Sequence, residues 1–292
     1  MQIDSTNAGA RLKEFNTEAT WRQTMNYAAS VGDSNPCYFD DTRKGGVIAP
    51  PMFAEAVTWR VSSRIWEFLD SKAFPVELLM TQVHYTEHVR FHRPVVPDSK
   101  LKLEGEVVAI LPHRAGSHVV IKYDALDKAG EPLFTMHTGA MLRGVECAGG
   151  GKGEELLPRV PDPPGDGPAR QSKIDIHPLA SYVYDGCADI FFPIHTSPRF
   201  AKSVGLPGII LQGSATLAHA AREIVDNEAG GDPLLLREIF CRFSGMVLPG
   251  ASIVFSLDSA RKMERGRELF FSVINAEGKK VLSGGYALVS DK

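Results

Sequence analysis

The sequence lacks several features that would each point to a particular class of protein. Its four cysteines, Cys37, Cys147, Cys187 and Cys241, form no Cys-x-x-Cys pair, which excludes a zinc ribbon and a thioredoxin-type redox motif. No stretch reaches the roughly 18 consecutive apolar residues of a membrane-spanning helix, and the first residues show no basic segment followed by an apolar run. We therefore expect reduced thiols, a cytoplasmic location and no contact with a membrane.

An excess of charge of one sign is also missing. The chain has 35 acidic and 32 basic side chains, so its net charge is -3 and it carries no basic footprint for nucleic acid. The glycines near residue 150 follow no strand and lack the Gly-x-Gly-x-x-Gly order, which excludes a dinucleotide fingerprint there. We expect no nucleic-acid partner and no nucleotide cofactor.

What the sequence does contain is enough chain for two domains. Its 292 residues are 43% hydrophobic and 23% charged, which is typical of a protein that buries a core. The segment 149–168 holds six glycines and five prolines, a composition that sustains neither a helix nor a central strand. We predict domains at 1–148 and 169–292, with 149–168 as the linker.

The two predicted domains repeat the same order of signals. Each begins with a segment that starts at a tyrosine, at 27–41 and again at 184–197. Within these segments, Asn-Pro-Cys-Tyr at 35–38 corresponds to Phe-Pro-Ile-His at 192–195, an offset of 157 residues. A glycine turn and a helix-like apolar run follow in each, at about 51–69 and 205–223. Alternating segments then predict antiparallel strands at 83–95, 101–111, 118–126 and 132–142, and at 235–247, 252–262, 268–276 and 281–289. Each half is therefore predicted as a long helix plus an antiparallel sheet, an α+β unit.

In this order of signals the sequence resembles the MaoC-like acyl dehydratases, also called hydratase-2 type enoyl-CoA hydratases. The resemblance is carried by GDSNPCYFDD and GGVIAPPMF in the first half and by FPIHTSPRFAKSVGLPGIILQGSATLA in the second. It covers nearly the whole chain. It implies a double hot-dog fold, in which two tandem repeats each wrap a curled antiparallel sheet around a long helix.

The resemblance implies addition of water to, or its removal from, an acyl-CoA thioester without a metal or redox cofactor. Such chemistry needs two titratable groups near one water, with pKa values set apart by their surroundings. By position, His195 is the catalytic histidine and Asp189 the nearest upstream carboxylate. Gly213 supplies a backbone N–H to the thioester oxygen at the start of the buried helix.

The second half departs from the family pattern at three positions. Asp189 stands six residues before His195 instead of five, so that Ile190 fills the strict position. Phe192 replaces the family's Asn, and Gln212 replaces the His that is common before the helix glycine. We place Phe192 and Gln212 among the substrate-contacting residues.

The first half retains the complementary part of the motif. Asp33 and Asn35 stand in the strict positions, but Tyr38 replaces the His. Tyrosine is a poor base at neutral pH, although its hydroxyl can donate a hydrogen bond. These three residues are secondary candidates for a site. Asp-x-Asn-Pro is also good turn chemistry, so Asp33 can equally serve as a cap.

Three regularly spaced histidines, His84, His88 and His92, form the remaining candidate site. They lie in a segment rich in residues that favour strands, and even spacing would put all three on one face. No nearby cysteine or carboxylate cluster completes a ligand set, so we predict no metal.

Two other functions are compatible with the sequence. One is a hot-dog acyl-CoA thioesterase, and the other is a non-catalytic subunit that binds acyl-CoA or a partner protein. Because hot-dog sheets pair edge to edge, the two halves can supply each other's partner, and a further homodimer is possible.

Overall fold

The computed structural model describes residues 1–70, 74–165 and 170–291. They form two compact units. Unit 1 comprises Met1–Glu18, Val57–Arg93 and Lys100–Pro161, and unit 2 comprises Ala19–Ala56, Pro94–Ser99 and Asp162–Lys292. The first-half motif at residues 33–38 thus lies in the same unit as His195. Since these units do not follow the repeat, the domain boundaries at 149 and 168 stay a prediction.

The described residues form twelve strands and seven α-helices. The strands are β1 (Gln2–Asp4), β2 (Phe15–Ala19), β3 (Gln82–Phe91), β4 (Ser99–His113), β5 (Gly116–Asp127), β6 (Pro132–Arg143), β7 (Glu146–Ala148), β8 (Arg170–Asp175), β9 (Leu236–Phe243), β10 (Ser252–Met263), β11 (Gly266–Asn275) and β12 (Lys280–Val289). The helices are α1 (Trp21–Ser30), α2 (Phe53–Ser62), α3 (Ile65–Phe68), α4 (Ala180–Ala188), α5 (Pro193–Thr196), α6 (Pro198–Ser203) and α7 (Gly213–Glu228). No described helix is both long and apolar enough to cross a membrane.

Four of the five strands in the sheet of unit 1 are those predicted in the first half, and β2 is an additional strand. Its order is β2-β4-β5-β6-β3, and β4 pairs with β5, β5 with β6 and β3 with β6 in antiparallel fashion. Alternation places Leu103, Tyr123 and Met136 in the core, each no more than 2% exposed. The predicted antiparallel sheet is therefore confirmed, with β1 and β7 added as a short parallel pair.

The prediction that three histidines share one strand face is wrong. The pairing of β3 with β6 shifts between His84 and Thr86, so a bulge reverses the alternation there. His84 instead contacts Glu87, with Nε2 2.9 Å from Oε2, whereas His88 lies against the ring of His137. His92 follows the end of β3.

The long helix predicted at 51–69 is interrupted. Helix α2 ends at Ser62 and α3 begins at Ile65. The hydroxyl of Ser62 lies 2.9 Å from the hydroxyl of Tyr123 on β5. Serine is a modest helix former, and two of them in sequence here, Ser62 and Ser63, end the helical run.

Unit 2 wraps a sheet around one central helix. The strand order is β9-β12-β11-β10-β8, and the pairs are antiparallel. Ten of the 16 residues of α7 are buried, and they include four alanines that allow close packing. A side chain at Gly213 would start 3.0 Å from the ring of Phe243 on β9, so only glycine fits without displacing that ring.

Unit 2 also brings equivalent positions of the two repeats into contact. Tyr27 on α1 and Tyr184 on α4, 157 residues apart, have hydroxyls 3.2 Å from each other and are both fully buried. Equivalent positions meet in this way across a twofold contact between two copies of one fold. The offset of 157 is thus reproduced in three dimensions.

Truncation of the core of unit 2 tests this architecture. Leu269 on β11 is 0% exposed, so Leu269→Ala should lower the free energy of unfolding by about 2 to 5 kcal/mol. Leu234 is 46% exposed, so the matched change Leu234→Ala should alter it by about 0.5 kcal/mol or less. Urea denaturation measures both, and equal losses would contradict the packing described.

Candidate active site

His195 is held in one orientation by a backbone carbonyl. It lies on the short helix α5, which begins at Pro193, and its Nδ1 is 2.8 Å from the carbonyl oxygen of Ile210. A carbonyl can only accept, so Nδ1 carries the hydrogen and the neutral ring has its lone pair on Nε2. Burial lowers the pKa of His195, with the bond to Ile210 acting in the opposite direction. The ring is thus kept neutral, with its lone pair on Nε2.

The segment 210–212, which contains the carbonyl that binds His195, is held by hydrogen bonds to α4. Ser181 is fully buried, and its hydroxyl donates to the same carbonyl of Ile210 at 3.1 Å. The amide Nε2 of Gln212 donates to the carbonyl of Ser181, also at 3.1 Å. Ser181 therefore links α4, the segment 210–212 and the histidine. Sequence reasoning missed this residue, since no motif contains it.

Gly213 occupies the predicted place at the start of α7. Its N–H is the first of the helix and has no hydrogen-bond acceptor among the described residues. Just before it, Gln212 is 1% exposed and its Oε1 has no partner within the described part of the chain. The positive end of the helix dipole and an unused donor thus coincide at Gly213.

Asp189 follows the last residue of α4 and has a left-handed backbone conformation, which the first repeat assigns to a glycine. Its φ is 57°, and at the offset of 157 it corresponds to Gly32, whose φ is 61°. Asp189 is exposed, and no hydrogen bond joins it to His195 in the described residues. A left-handed residue at this position ends a helix.

A second carboxylate, which the sequence analysis missed, lies one helical turn before Asp189. Burial, and then the negative charge of Asp189, raise the pKa of Asp185. Spacing of four residues on α4 would have been the signal for this pair.

Phe192 precedes the first residue of α5 and provides no side-chain cap. Its equivalent, Asn35, accepts a hydrogen bond at Oδ1 from the N–H of Cys37 at 3.0 Å and caps the turn at Pro36. Phe192 is instead 42% exposed, with its ring 6.0 Å from that of Phe200. The second repeat has exchanged a capping amide for an apolar surface beside the histidine.

The first-half motif forms a separate buried cluster. Asp33 is 7% exposed and accepts the N–H of Asn35 at 3.0 Å. Burial raises its pKa to about 6, aided by the charge of Asp226 and opposed by the N–H of Asn35 and by Arg222. Tyr38 is 2% exposed, and burial, followed by the charge of Asp33, raises the pKa of its hydroxyl.

Family comparison agrees with this architecture. Residues 160–278 match the model of the MaoC-like domain, and residues 7–136 match the FAS1-like dehydratase domain region. The chain thus contains a MaoC-like dehydratase domain and a FAS1-like dehydratase region, and it has the double hot-dog fold, as predicted.

Individual proteins are similar over most of the chain. Enoyl-CoA hydratase 2 (peroxisomal) of Arabidopsis thaliana is 26% identical over 94% of this chain and 91% of its own length. Peroxisomal multifunctional enzyme type 2 of Drosophila melanogaster is also 26% identical, but the chain spans only 45% of that enzyme. The crystal structure of a MaoC-like dehydratase from Phytophthora capsici superposes with a TM-score of 0.81 at 21% identity, covering 97% of each chain, which shows a common fold.

The raised pKa of Asp33 generates a prediction about stability. Because its folded pKa of about 6 lies above the ordinary 3.8, the folded protein binds more protons than the unfolded chain between these values. The contribution of Asp33 to the free energy of unfolding therefore falls as pH rises through this window. Asp33→Asn should gain stability relative to the wild type on going from pH 4.5 to pH 7.5, measured by urea denaturation. The exposed Asp41→Asn should show no such trend, and a pH-independent difference for Asp33→Asn would contradict the burial.

Proposed function

We propose that the protein adds water to, or removes it from, 2-enoyl and 3-hydroxyacyl-CoA thioesters, with His195 as its acid-base residue. It is a hydro-lyase of the enoyl-CoA hydratase 2 type, as the names of its relatives indicate. The observation that supports the assignment of His195 is its fixed tautomer, which leaves Nε2 free to take a proton. A metal or redox cofactor is not needed for the steps proposed.

In the hydration direction, Nε2 of His195 takes a proton from water as the water oxygen bonds to C3 of the thioester. The C2=C3 electrons move toward the thioester carbonyl, whose oxygen gains enolate character. C2 then receives a proton, and the 3-hydroxyacyl product is complete. Dehydration follows the same path in reverse.

Gly213 is proposed to stabilise the enolate oxygen. Its N–H has no acceptor among the described residues and lies at the positive end of a 16-residue helix. A donor of this kind is most effective where charge develops during the reaction. Gln212 and Phe192 flank this position and the histidine, and we assign them to substrate contact.

Asp189 is proposed as the carboxylate partner of His195, with Asp185 beside it. Since burial, and then the charge of Asp189, raise the pKa of Asp185, Asp185 keeps its proton to higher pH than an ordinary aspartate. This pair of carboxyls is proposed to return the proton to C2.

The cytoplasmic location and the homodimer stay predictions. Two of the relatives are named as peroxisomal.

Substitution of His195 tests the proposal directly. His195→Ala should lower kcat/KM with crotonyl-CoA by roughly 10²- to 10⁴-fold, because the positioned base is lost. The matched control is His177→Ala, which removes an exposed histidine of the same unit and should retain activity. Hydration is followed by loss of the enoyl absorbance.

Three outcomes would contradict the assignment. Full turnover in His195→Ala would exclude that residue as the base. Release of the free CoA thiol in place of hydration would identify a thioesterase. Binding of crotonyl-CoA without any turnover, with this and branched enoyl-CoA esters, would identify a binding subunit.

The pH profile supplies an independent test. Because burial lowers the pKa of His195 below its ordinary 6.5, the imidazole stays neutral further into acid than a free histidine. The acid limb of kcat/KM should therefore have its midpoint below pH 6.5. A midpoint above that value would be inconsistent with a buried neutral base.

A further inference from the structure

The carbonyl oxygen of Ile210 accepts hydrogen bonds from two side chains. Nδ1 of His195 lies 2.8 Å from it, and the hydroxyl oxygen of Ser181 lies 3.1 Å from it. A carbonyl oxygen has two lone pairs, so these two donors use its full capacity. Ser181 is 0% exposed, so bulk water does not compete for its hydroxyl. The serine and the imidazole therefore share one buried acceptor.

The hydroxyl of Ser181 is used differently from its equivalent in the first repeat. At the offset of 157 that separates Tyr27 from Tyr184, Ser181 corresponds to Thr24. The hydroxyl of Thr24 donates to the carbonyl of Trp21 in its own helix, at 3.0 Å, as helical serines and threonines often do. Ser181 instead donates to a segment 29 residues away. The bond to this segment thus occurs in the repeat that carries the histidine.

The segment 210–212 has other hydrogen bonds that hold it in place. The N–H of Leu211 donates to the carbonyl of Val247 at 2.8 Å. Nε2 of Gln212 donates to the backbone carbonyl of Ser181, a group that any residue at position 181 retains. The location of the shared acceptor therefore does not depend on the hydroxyl of Ser181. What the hydroxyl changes is the strength of the carbonyl as an acceptor.

Two donors on one carbonyl weaken each other. Each hydrogen bond polarises the carbonyl and draws electron density from its oxygen, so the other donor meets a weaker acceptor. The protonated imidazole loses more than the neutral one, because a charged donor makes the stronger hydrogen bond. Burial lowers the pKa of His195, and the bond to Ile210 opposes burial. By weakening that bond, the hydroxyl of Ser181 acts in the same direction as burial.

Charged side chains near α5 do not account for the state of His195. Helices α4 and α6 contact α5. The titratable and charged side chains that they and the following residue carry are Tyr182, Tyr184, Asp185, Cys187 and Asp189 on the side of α4, and Arg199 and Lys202 on α6. Among the described residues, none of these is hydrogen-bonded to the ring of His195, and burial and the carbonyl of Ile210 are the causes that shift its pKa.

We propose that Ser181 is a positioning residue for the base: by sharing the carbonyl of Ile210, its hydroxyl weakens the bond that favours the protonated imidazole and keeps Nε2 of His195 able to take a proton from water. This role rests on the proposed function, because the hydration step is what requires a neutral base. Ser181 itself touches neither the substrate nor the water.

The first test measures protonation of His195 without any substrate. The ring proton signal of His195 is assigned by its absence from His195→Ala and is followed by NMR against pH in the full chain. Ser181→Ala should raise the proton-binding constant of His195 about threefold, because the carbonyl of Ile210 then serves the charged ring alone. An unchanged or lowered constant would overturn the proposal.

Two further variants complete this test. Ser203→Ala is the matched control, since Ser203 is exposed and its hydroxyl donates to the carbonyl of Phe200 in its own helix at 2.8 Å. It should leave the constant unchanged, and an equal rise there would refute a specific role for Ser181. Ser181→Cys keeps a weak donor and serves if Ser181→Ala does not fold. Its constant should lie above that of the wild type, and a value equal to the wild type would also overturn the proposal.

The second test uses the pH dependence of turnover. In Ser181→Ala the acid limb of kcat/KM with crotonyl-CoA should move to higher pH by the same factor as the proton-binding constant. A serine with a merely structural role would lower kcat/KM equally at every pH, and that result would contradict the proposal. A wild type without turnover, combined with a raised constant in Ser181→Ala, would remove the proposed function alone. An unchanged constant with wild-type turnover intact would remove the role of Ser181 alone.

Discussion

The hydrogen bond from Nδ1 of His195 to the carbonyl of Ile210 is the contact on which the proposed chemistry depends. It fixes the tautomer in which the lone pair is on Nε2, and it does so without a carboxylate. The same carbonyl receives the hydroxyl of Ser181, whose own carbonyl receives the amide of Gln212. One stretch of backbone, residues 210–212, therefore positions His195, Gln212 and the N-terminal end of the central helix α7.

Both repeats have a similar backbone conformation in this region but carry different side chains. A left-handed residue ends the first helix of each, Gly32 in one and Asp189 in the other. A proline then begins a short helical turn, capped by the side chain of Asn35 in the first repeat and uncapped at Phe192 in the second. One copy thus retains a buried acid and a phenol, and the other retains an imidazole.

Much of the fold could be predicted from the sequence, because strand alternation and the central helix are local patterns. The offset of 157 also placed Tyr38 and His195 correctly in equivalent turns. The bulge after His84 could not be foreseen, since it depends on pairing with β6 and reverses the face of every residue before it. Ser181 could not be predicted for a similar reason, because its hydroxyl donates to a carbonyl 29 residues away.

The contact between Tyr27 and Tyr184 has an evolutionary consequence. In a dimer of identical chains, every substitution near the twofold axis occurs twice, so both copies of a site change together. Here the equivalent tyrosines belong to one chain, and each neighbouring position mutates alone. A repeat within one chain therefore allows the two halves to differ, as the side chains at positions 38 and 195 do.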